Sequence, residues 1–416
     1  MSRAALALFA AVVTAGGCAR PVPVSGEWRA TLGSPGGELP FRLVLAEEPG
    51  GKLTAAVWNA YEEIPVTTAR RDGEKIFLRF DHYDSEIEAT LGSDGRRLAG
   101  LWTRQAGRDR PAMTFTAVKG EAGRFGPFVG MTGTASVLDP GGVWEAVFTD
   151  PKESFVARAE FKQGAAGQVT GTFLTPTGDY RVLEGDYQDG LLRLSCFDGA
   201  HAFLFVARAA EDGTLVGDFW SRTSYHAAWV ARRKEVPALP DAFALTTLTS
   251  PTGRLRFSFP DLDGRTVTSD DPTFAGKVLL VDIFGSWCPN CNDQAPVLAD
   301  LYRRYHDRGL EVVGVAYEMT GEPGRDGEYV RKFAARHGVR WPLLLAGTSD
   351  KTEASRTLPD LSGVLAFPTL VLIGRDGRVA AIHTGFAGPG TGQHFEDLKA
   401  RYVEILERLL QPGQAP

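Results

Sequence analysis

The sequence predicts a multidomain chain in which an internally duplicated, all-β N-terminal region precedes a C-terminal α/β domain built on a mixed sheet. Three observations lead there. A length of 416 residues exceeds one ordinary domain, and 43% hydrophobic with 23% charged residues marks a globular rather than a disordered chain. Residues 26–232 are rich in short alternating runs separated by Gly, Asp, Pro and Ser, with no long helical periodicity. Beyond Phe243 the pattern changes to strands alternating with helical stretches.

The chain opens on "MSRAALALFAAVVTAGGCAR", with Arg3 ahead of an apolar run from Ala4 to Val13 and small residues up to Cys18. That is the layout of a secretory signal over residues 1–18. Its apolar core is about half the roughly 20 residues a membrane-spanning helix needs, so no permanent spanning segment is expected. The stretch "AGGC" at Ala15–Cys18 resembles a bacterial lipobox, although Ala15 stands where that motif usually has Leu. The resemblance implies acylation of Cys18 and membrane association by an N-terminal lipid anchor; a lone cysteine in this place can also be incidental. The expected location is the cell envelope, facing the periplasm from the outer or inner membrane, where disulfides are tolerated. The net charge of −6 is small and spread along the chain. It leaves no basic stripe for nucleic acid.

In the β-rich region "FRLVLAEE", "KIFLRFDHY", "SEIEATL" and "RRLAGLWTR" read as half-buried strands. The region repeats itself. Gly26 and Trp28 recur as Gly142 and Trp144, Asp72-Gly73 as Asp189-Gly190, Phe80-Asp81 as Phe197-Asp198, and "LAGLWTR" as "LVGDFWSR", at offsets of 116 to 118 residues. This predicts two all-β units, 19–125 and 126–234, either two small barrels or sandwiches or one barrel made of two halves. The recurring tryptophans are expected in the core, a ligand cavity being the alternative. Cys196 alternates with Leu192 and Leu194 and reads as a buried, inert thiol.

The proline-bearing "RRKEVPALPDAF" reads as a linker or strap, placed at 235–250. The α/β domain, 251–416, opens with "KVLLVDIFGSW", a near-continuous apolar run expected of a strand buried on both faces. A helix through "NDQAPVLADLYRRYHDRG", the strand "LEVVGVAYE", a helix through "GEYVRKFAARHG", the strands "TLVLIG" and "VAAIHTG" about the turn "RDGR", and a closing helix "HFEDLKARYVEILERLL" follow.

Cys288-Pro289-Asn290-Cys291 lies between the buried strand and the first helix. A helix start offers unpaired N–H groups and a positive dipole end, which favour a thiolate, so Cys288 is expected to be the low-pKa, attacking sulfur. Two intervening residues bring Cys291 round by most of a turn, within disulfide reach and more covered, as the resolving sulfur. Cys-x-x-Cys is also half of many zinc sites. No second Cys-x-x-Cys or closely spaced His pair exists here, and no metal is expected. A purely structural bridge over two residues would constrain the unfolded chain very little.

"VDIFGSWCPNC", followed by "QAP" and later by Phe367-Pro368-Thr369, resembles the thioredoxin superfamily, and most closely its TlpA-like and ResA-like thiol-disulfide oxidoreductases, grouped in some classifications under an AhpC/TSA label. The resemblance covers roughly Leu255 to Leu410. It implies a thioredoxin-like fold, exchange with client protein disulfides in the reducing direction, electrons from a membrane-derived donor, and no cofactor. It implies that Pro368 is cis beside the cysteine pair and that Trp287, Pro289, Phe367, Pro368 and Thr369 form the substrate face. It also implies that Asp282, six residues before Cys288, moves the proton of the resolving thiol, a carboxyl in apolar surroundings having a raised pKa; a structural Asp bonded to backbone is the alternative. Glu318 either matches an acidic residue that some ResA-like proteins place near the site or is an exposed loop Glu. An extra helix-bearing segment is expected from "EMTGEPGRDGEYVRKF" or "GTSDKTEASRTLPDL". Two other functions stay open: a thiol peroxidase, against which Gly285 stands where a Thr is usual, and an envelope ligand-binding β-module protein with an accessory redox domain.

Overall fold

The computed structural model describes residues 22–105, 112–121, 123–126 and 138–411. The signal-like segment and Cys18 lie outside them. Among the described residues no helix is long and apolar enough to cross a membrane.

The duplicated region forms two antiparallel meanders of nine strands each. The first contains β1 (Gly26–Ser34), β2 (Gly37–Glu47), β3 (Leu53–Asn59), β4 (Glu62–Pro65), β5 (Thr68–Asp72), β6 (Lys75–Phe80), β7 (Ser85–Leu91), β8 (Arg97–Arg104) and β9 (Ala112–Lys119). β1 pairs with both β2 and β9, and the seam opposite is bridged where Val66 N–H donates to Ala55 O at 3.0 Å. The second contains β10 (Gly142–Thr149), β11 (Ser154–Gln163), β12 (Gln168–Thr175), β13 (Gly178–Asp179), β14 (Leu183–Gln188), β15 (Leu191–Phe197), β16 (Ala202–Ala209), β17 (Leu215–Ser221) and β18 (Tyr225–Arg233). It closes completely, because β12 pairs with β14 on one side and β11 on the other. Of the three arrangements open to the sequence, the molecule therefore takes two separate barrels. Strand pairing closes the second sheet through β11 and β12, whereas the first ends at β4 and β5.

The repeat shows in single bonds. Trp28 Nε1–H donates to Val24 O at 3.0 Å, and Trp144 Nε1–H donates to Pro140 O at 2.9 Å, each four residues back. Trp28, Trp102, Trp144 and Trp229 are fully buried, as core residues should be. Cys196 shares an apolar cluster with Leu192 and Leu194. One sequence pairing needs correction. Burial along the strands matches Leu98 to Leu215 and Trp102 to Phe219, one residue away from the pairing of Trp102 with Trp220. Since strand side chains alternate, that single step turns Trp220 outward, and it packs against the first barrel's cluster.

The barrels are joined head to tail. The tip of the β15–β16 hairpin plugs the end of the first barrel, with Phe197 ring centroids 4.6 Å from Phe41 and 5.4 Å from Trp102. Gly199, at φ +88°, completes the plug, and a Cβ there would collide with the Phe80 ring. In return the β3–β4 hairpin grips the second barrel. Asn59 Nδ2–H donates to Phe197 O at 2.9 Å, Ala60 N–H donates to Glu184 Oε2 at 2.6 Å, and Glu62 pairs with Arg181 at 2.6 Å.

The linker is bonded at both ends: Glu235 O and Ala238 N–H bond to Arg158 and Glu145 of the second barrel, and residues 242–253 form a strap along the last domain. Thr384 N–H donates to Ala242 O, Ser362 N–H to Thr247 O and Thr249 N–H to Asp360 O, at 2.7–3.0 Å. The domain itself contains the short hairpin β19 (Ser258–Pro260) and β20 (Thr266–Thr268), then β21 (Val278–Phe284), α1 (Pro289–Tyr305), β22 (Leu310–Glu318), α2 (Pro323–His337), β23 (Leu343–Thr348), α3 (Lys351–Thr357), β24 (Thr369–Ile373), β25 (Val379–Thr384) and α4 (Gln393–Leu410). The five-stranded sheet runs β23-β22-β21-β24-β25, parallel from β21 to β23 and antiparallel across β24 and β25. Every residue of β21 and β22 is buried, because helices cover both faces. Both stretches expected to hold an extra helix do so, as α2 and α3. β23 and the β19–β20 hairpin are additions to the sequence reading.

Candidate active site

β21 delivers the chain to the C-terminal edge of the sheet, and the turn Gly285–Trp287 carries it into α1. Cys288 is the N-cap residue, Pro289 occupies the first helical turn, where its missing N–H costs nothing, and Asn292 N–H donates to Cys288 O at 3.1 Å. The turn is braced from β22. Ser286 donates to the Glu318 carboxylate through its N–H at 2.8 Å and its hydroxyl at 2.7 Å, and Trp287 Nε1–H donates to Tyr317 O at 2.8 Å. Glu318 is 1% exposed, and burial pushes its carboxyl up to about 8 against the Ser286 bonds. It is not the exposed loop residue that one reading allowed.

Cys288 and Cys291 are both free thiols. Cys288 Sγ–H donates to Phe367 O at 3.3 Å, and the Phe367–Pro368 bond is cis. Burial first, then the adjacent Cys288 sulfur, raises the Cys291 thiol well above the ordinary value. Cys291 is thus held as a thiol. Asp282 is 4% exposed and lies within electrostatic reach of Cys291. Burial pushes its carboxyl up to about 7, opposed by a hydrogen bond from Gln294 Nε2–H at 2.9 Å.

The expected substrate face is only partly exposed. Trp287, Pro289 and Phe367 line a half-open cavity of about 450 Å³ beside Cys288, and the Trp287 and Phe367 rings meet edge to face at 5.8 Å. Pro368 and Thr369 are buried behind it; the Thr369 hydroxyl turns inward and donates to Ala366 O at 2.8 Å.

The opposite wall of the cavity is the second barrel, which sequence reasoning kept apart from the chemistry. The β12–β13 hairpin lies across the start of α1. Gly178, at φ +148°, is pressed against Asn290, where a Cβ would collide with the side-chain amide. Asp179 accepts from Gly388 N–H, and Arg181 pairs with Asp293 of α1 as well as with Glu62 of the first barrel. Burial pushes the Asp293 carboxyl up to about 7, against Arg181 and helped by Asp179, Glu62 and Asp198. Arg104 of the first barrel and Lys351 of α3 lie within electrostatic reach of Cys288. No local signal marks these residues, since their partners lie in other domains; the turn letters of "TPTGD" are the nearest hint. No cluster of residues suited to a metal ion occurs among those described.

Two thiols at a helix start, Cys288 in the N-cap position and Cys291 buried within the first turn, against a cis-proline loop on a mixed five-stranded sheet, define a thioredoxin-type dithiol centre. The family model and the relatives of similar sequence agree. The Redoxin family model matches residues 248–400. The thiol-disulfide oxidoreductase ResA of Geobacillus thermodenitrificans is 31% identical over 144 residues, 34% of this chain and 74% of the relative. ResA of Halalkalibacterium halodurans is 26% identical over 131 residues, 32% of this chain and 66% of the relative. A solved thiol:disulfide interchange protein of the thioredoxin family from Chlorobium tepidum is similar at 22% identity, over 38% of this chain and 95% of that one, with a TM-score of 0.29. The chain belongs, through its C-terminal domain, to the TlpA/ResA-like thiol-disulfide oxidoreductases of the thioredoxin superfamily. The family match leaves the two barrels outside it.

Proposed function

We propose that the protein reduces disulfides outside the cytoplasm, held to a membrane through Cys18. The Cys288 thiolate attacks one sulfur of a client disulfide, forming a mixed disulfide and releasing the first client sulfur, which takes up a proton. Cys291 then loses its proton to the Asp282 carboxylate and attacks Cys288 Sγ. The mixed bond breaks, the second client sulfur leaves and is protonated, and Cys288–Cys291 is left oxidised. Two electrons have passed to the client, and a membrane-derived dithiol donor restores them. Pro289 and Phe367 flank the attacking sulfur, and Pro368 and Thr369 set the loop behind it.

The asymmetry of the pair carries this reading: Cys288 caps the helix and faces the cavity, whereas Cys291 is buried and protonated beside Asp282. A Cys291→Ser chain expressed in its native host tests it. Mixed disulfides on Cys288, identified by mass spectrometry, are the expected result. Absence of any adduct, together with peroxide turnover by the parent chain faster than disulfide turnover, would replace the reading with a thiol peroxidase.

A further inference from the structure

A dithiol enzyme that works on folded proteins must offer its attacking sulfur to a broad partner surface. Here Cys288 is 7% exposed and lines the half-open cavity it shares with the second barrel. The barrel wall is fastened rather than resting. The Asp179–Gly388 bond, the Arg181–Asp293 pair and the fit of Gly178 against Asn290 all hold it, and His394 of α4 adds a bond to Glu160 of β11 at 2.9 Å. These contacts place the barrel wall across the cavity from the sulfur, where a broad protein face would have to fit.

The cavity has the size of a small-molecule site, about 450 Å³ within the usual range of roughly 300–1,000 Å³. Its barrel side is aromatic, formed by Phe155, Tyr180 and Phe203, with His201 stacked on Phe203 at 4.4 Å and its Nδ1 bonded to Asp198 at 3.1 Å. Two exposed residues of opposite charge, Lys351 and Glu153, also line it and lie within electrostatic reach of each other. Cys288 lines the same cavity from the side opposite the aromatic wall. A ligand matching this lining is compact, carries a disulfide at its centre, and presents a carboxylate to Lys351 and an ammonium group to Glu153.

On the disulfide-exchange reading above, we infer that the cavity is a binding site for small zwitterionic disulfides of the amino-acid type, which the enzyme reduces in preference to disulfides of folded proteins. Cys288 thiolate attacks one sulfur and expels the first half as a thiol. Cys291 displaces the second half from Cys288, so one small disulfide becomes two thiols as the enzyme dithiol becomes a disulfide.

The test is single-turnover oxidation of the reduced full chain by cystine, glutathione disulfide, neutral hydroxyethyl disulfide and insulin, each rate normalised to that with free dithiothreitol. Cystine and glutathione disulfide should exceed hydroxyethyl disulfide by about tenfold or more, and insulin should be slowest. In Lys351→Gln the zwitterionic-to-neutral ratio should fall about tenfold, the loss expected for one charge-assisted bond. Because the ratio is taken within one protein, general damage to the fold cancels. A ratio near one, a ratio unmoved in Lys351→Gln, or insulin reacting as fast as cystine overturns the small-disulfide site while leaving disulfide exchange standing. Failure of all four to oxidise the pair overturns disulfide exchange itself, and the site with it.

Discussion

Replacing Asp282 by Asn tests the proton acceptor proposed for Cys291. In the folded chain burial moves this carboxyl from 3.8 up to about 7. Between those values the native state holds a proton that the unfolded state has lost. The native fold is therefore free of any penalty from this group below about pH 4, loses stability as pH rises to about 7, and is level above that. At about 1.4 kcal/mol per pH unit the full penalty is about 4 kcal/mol at pH 8 and about 1.5 kcal/mol at pH 5. Asn keeps the shape, still accepts from Gln294, and does not ionise. Asp282→Asn is thus expected to be more stable than the parent, by about 3 kcal/mol more at pH 8 than at pH 5, read from urea midpoints at the two pH values. On the proposed mechanism the same substitution removes the base from the resolving step. That step should slow on the order of 10²-fold at pH 7 and lose its inflection near pH 7. A stability difference independent of pH, or an Asn chain that keeps the inflection, would refute the assignment.

Other perturbations report on separate parts of the structure. Glu318→Ala strands both Ser286 donors and should cost about 2 kcal/mol in urea unfolding, with red-shifted tryptophan emission as the Trp287 turn loosens. Arg181→Met leaves Glu62, Asp198 and Asp293 without their buried cation. The expected loss is about 3–5 kcal/mol at pH 8 and less at pH 5, where Asp293 is protonated, followed by thermal unfolding at both values. Cys196 is fully buried, and burial raises its thiol well above the ordinary value, so alkylation with mass-spectrometric mapping should modify it only in denaturant.

What could be read from the sequence was local. "LEVVGVAYE" gives β22 with its bounds, because a strand covered on both faces carries a nearly unbroken apolar run, here Val312–Tyr317. β23 escaped because it follows Pro342, and only Leu343 and Leu344 are fully buried in it, which leaves too short an apolar run to stand out. The cysteine pair announces itself by lying between a strand and a helix. Glu318 was ambiguous because its burial depends on Ser286, 32 residues earlier, and no periodicity reports that. The barrel wall of the cavity was invisible for the same reason on a larger scale, since Arg181 and Asp293 are 112 residues apart and in different domains. The misaligned Trp220 shows how far composition reaches: it found the repeat but not the face.

The barrels also have a direction. Each presents its equivalent hairpin, β3–β4 or β12–β13, to whatever follows it in the chain, so the junction is of the non-closing kind that can be extended without end. The α/β domain receives the second of these hairpins at the start of α1, so the hairpin contacts run in chain order from the first barrel to the thiols.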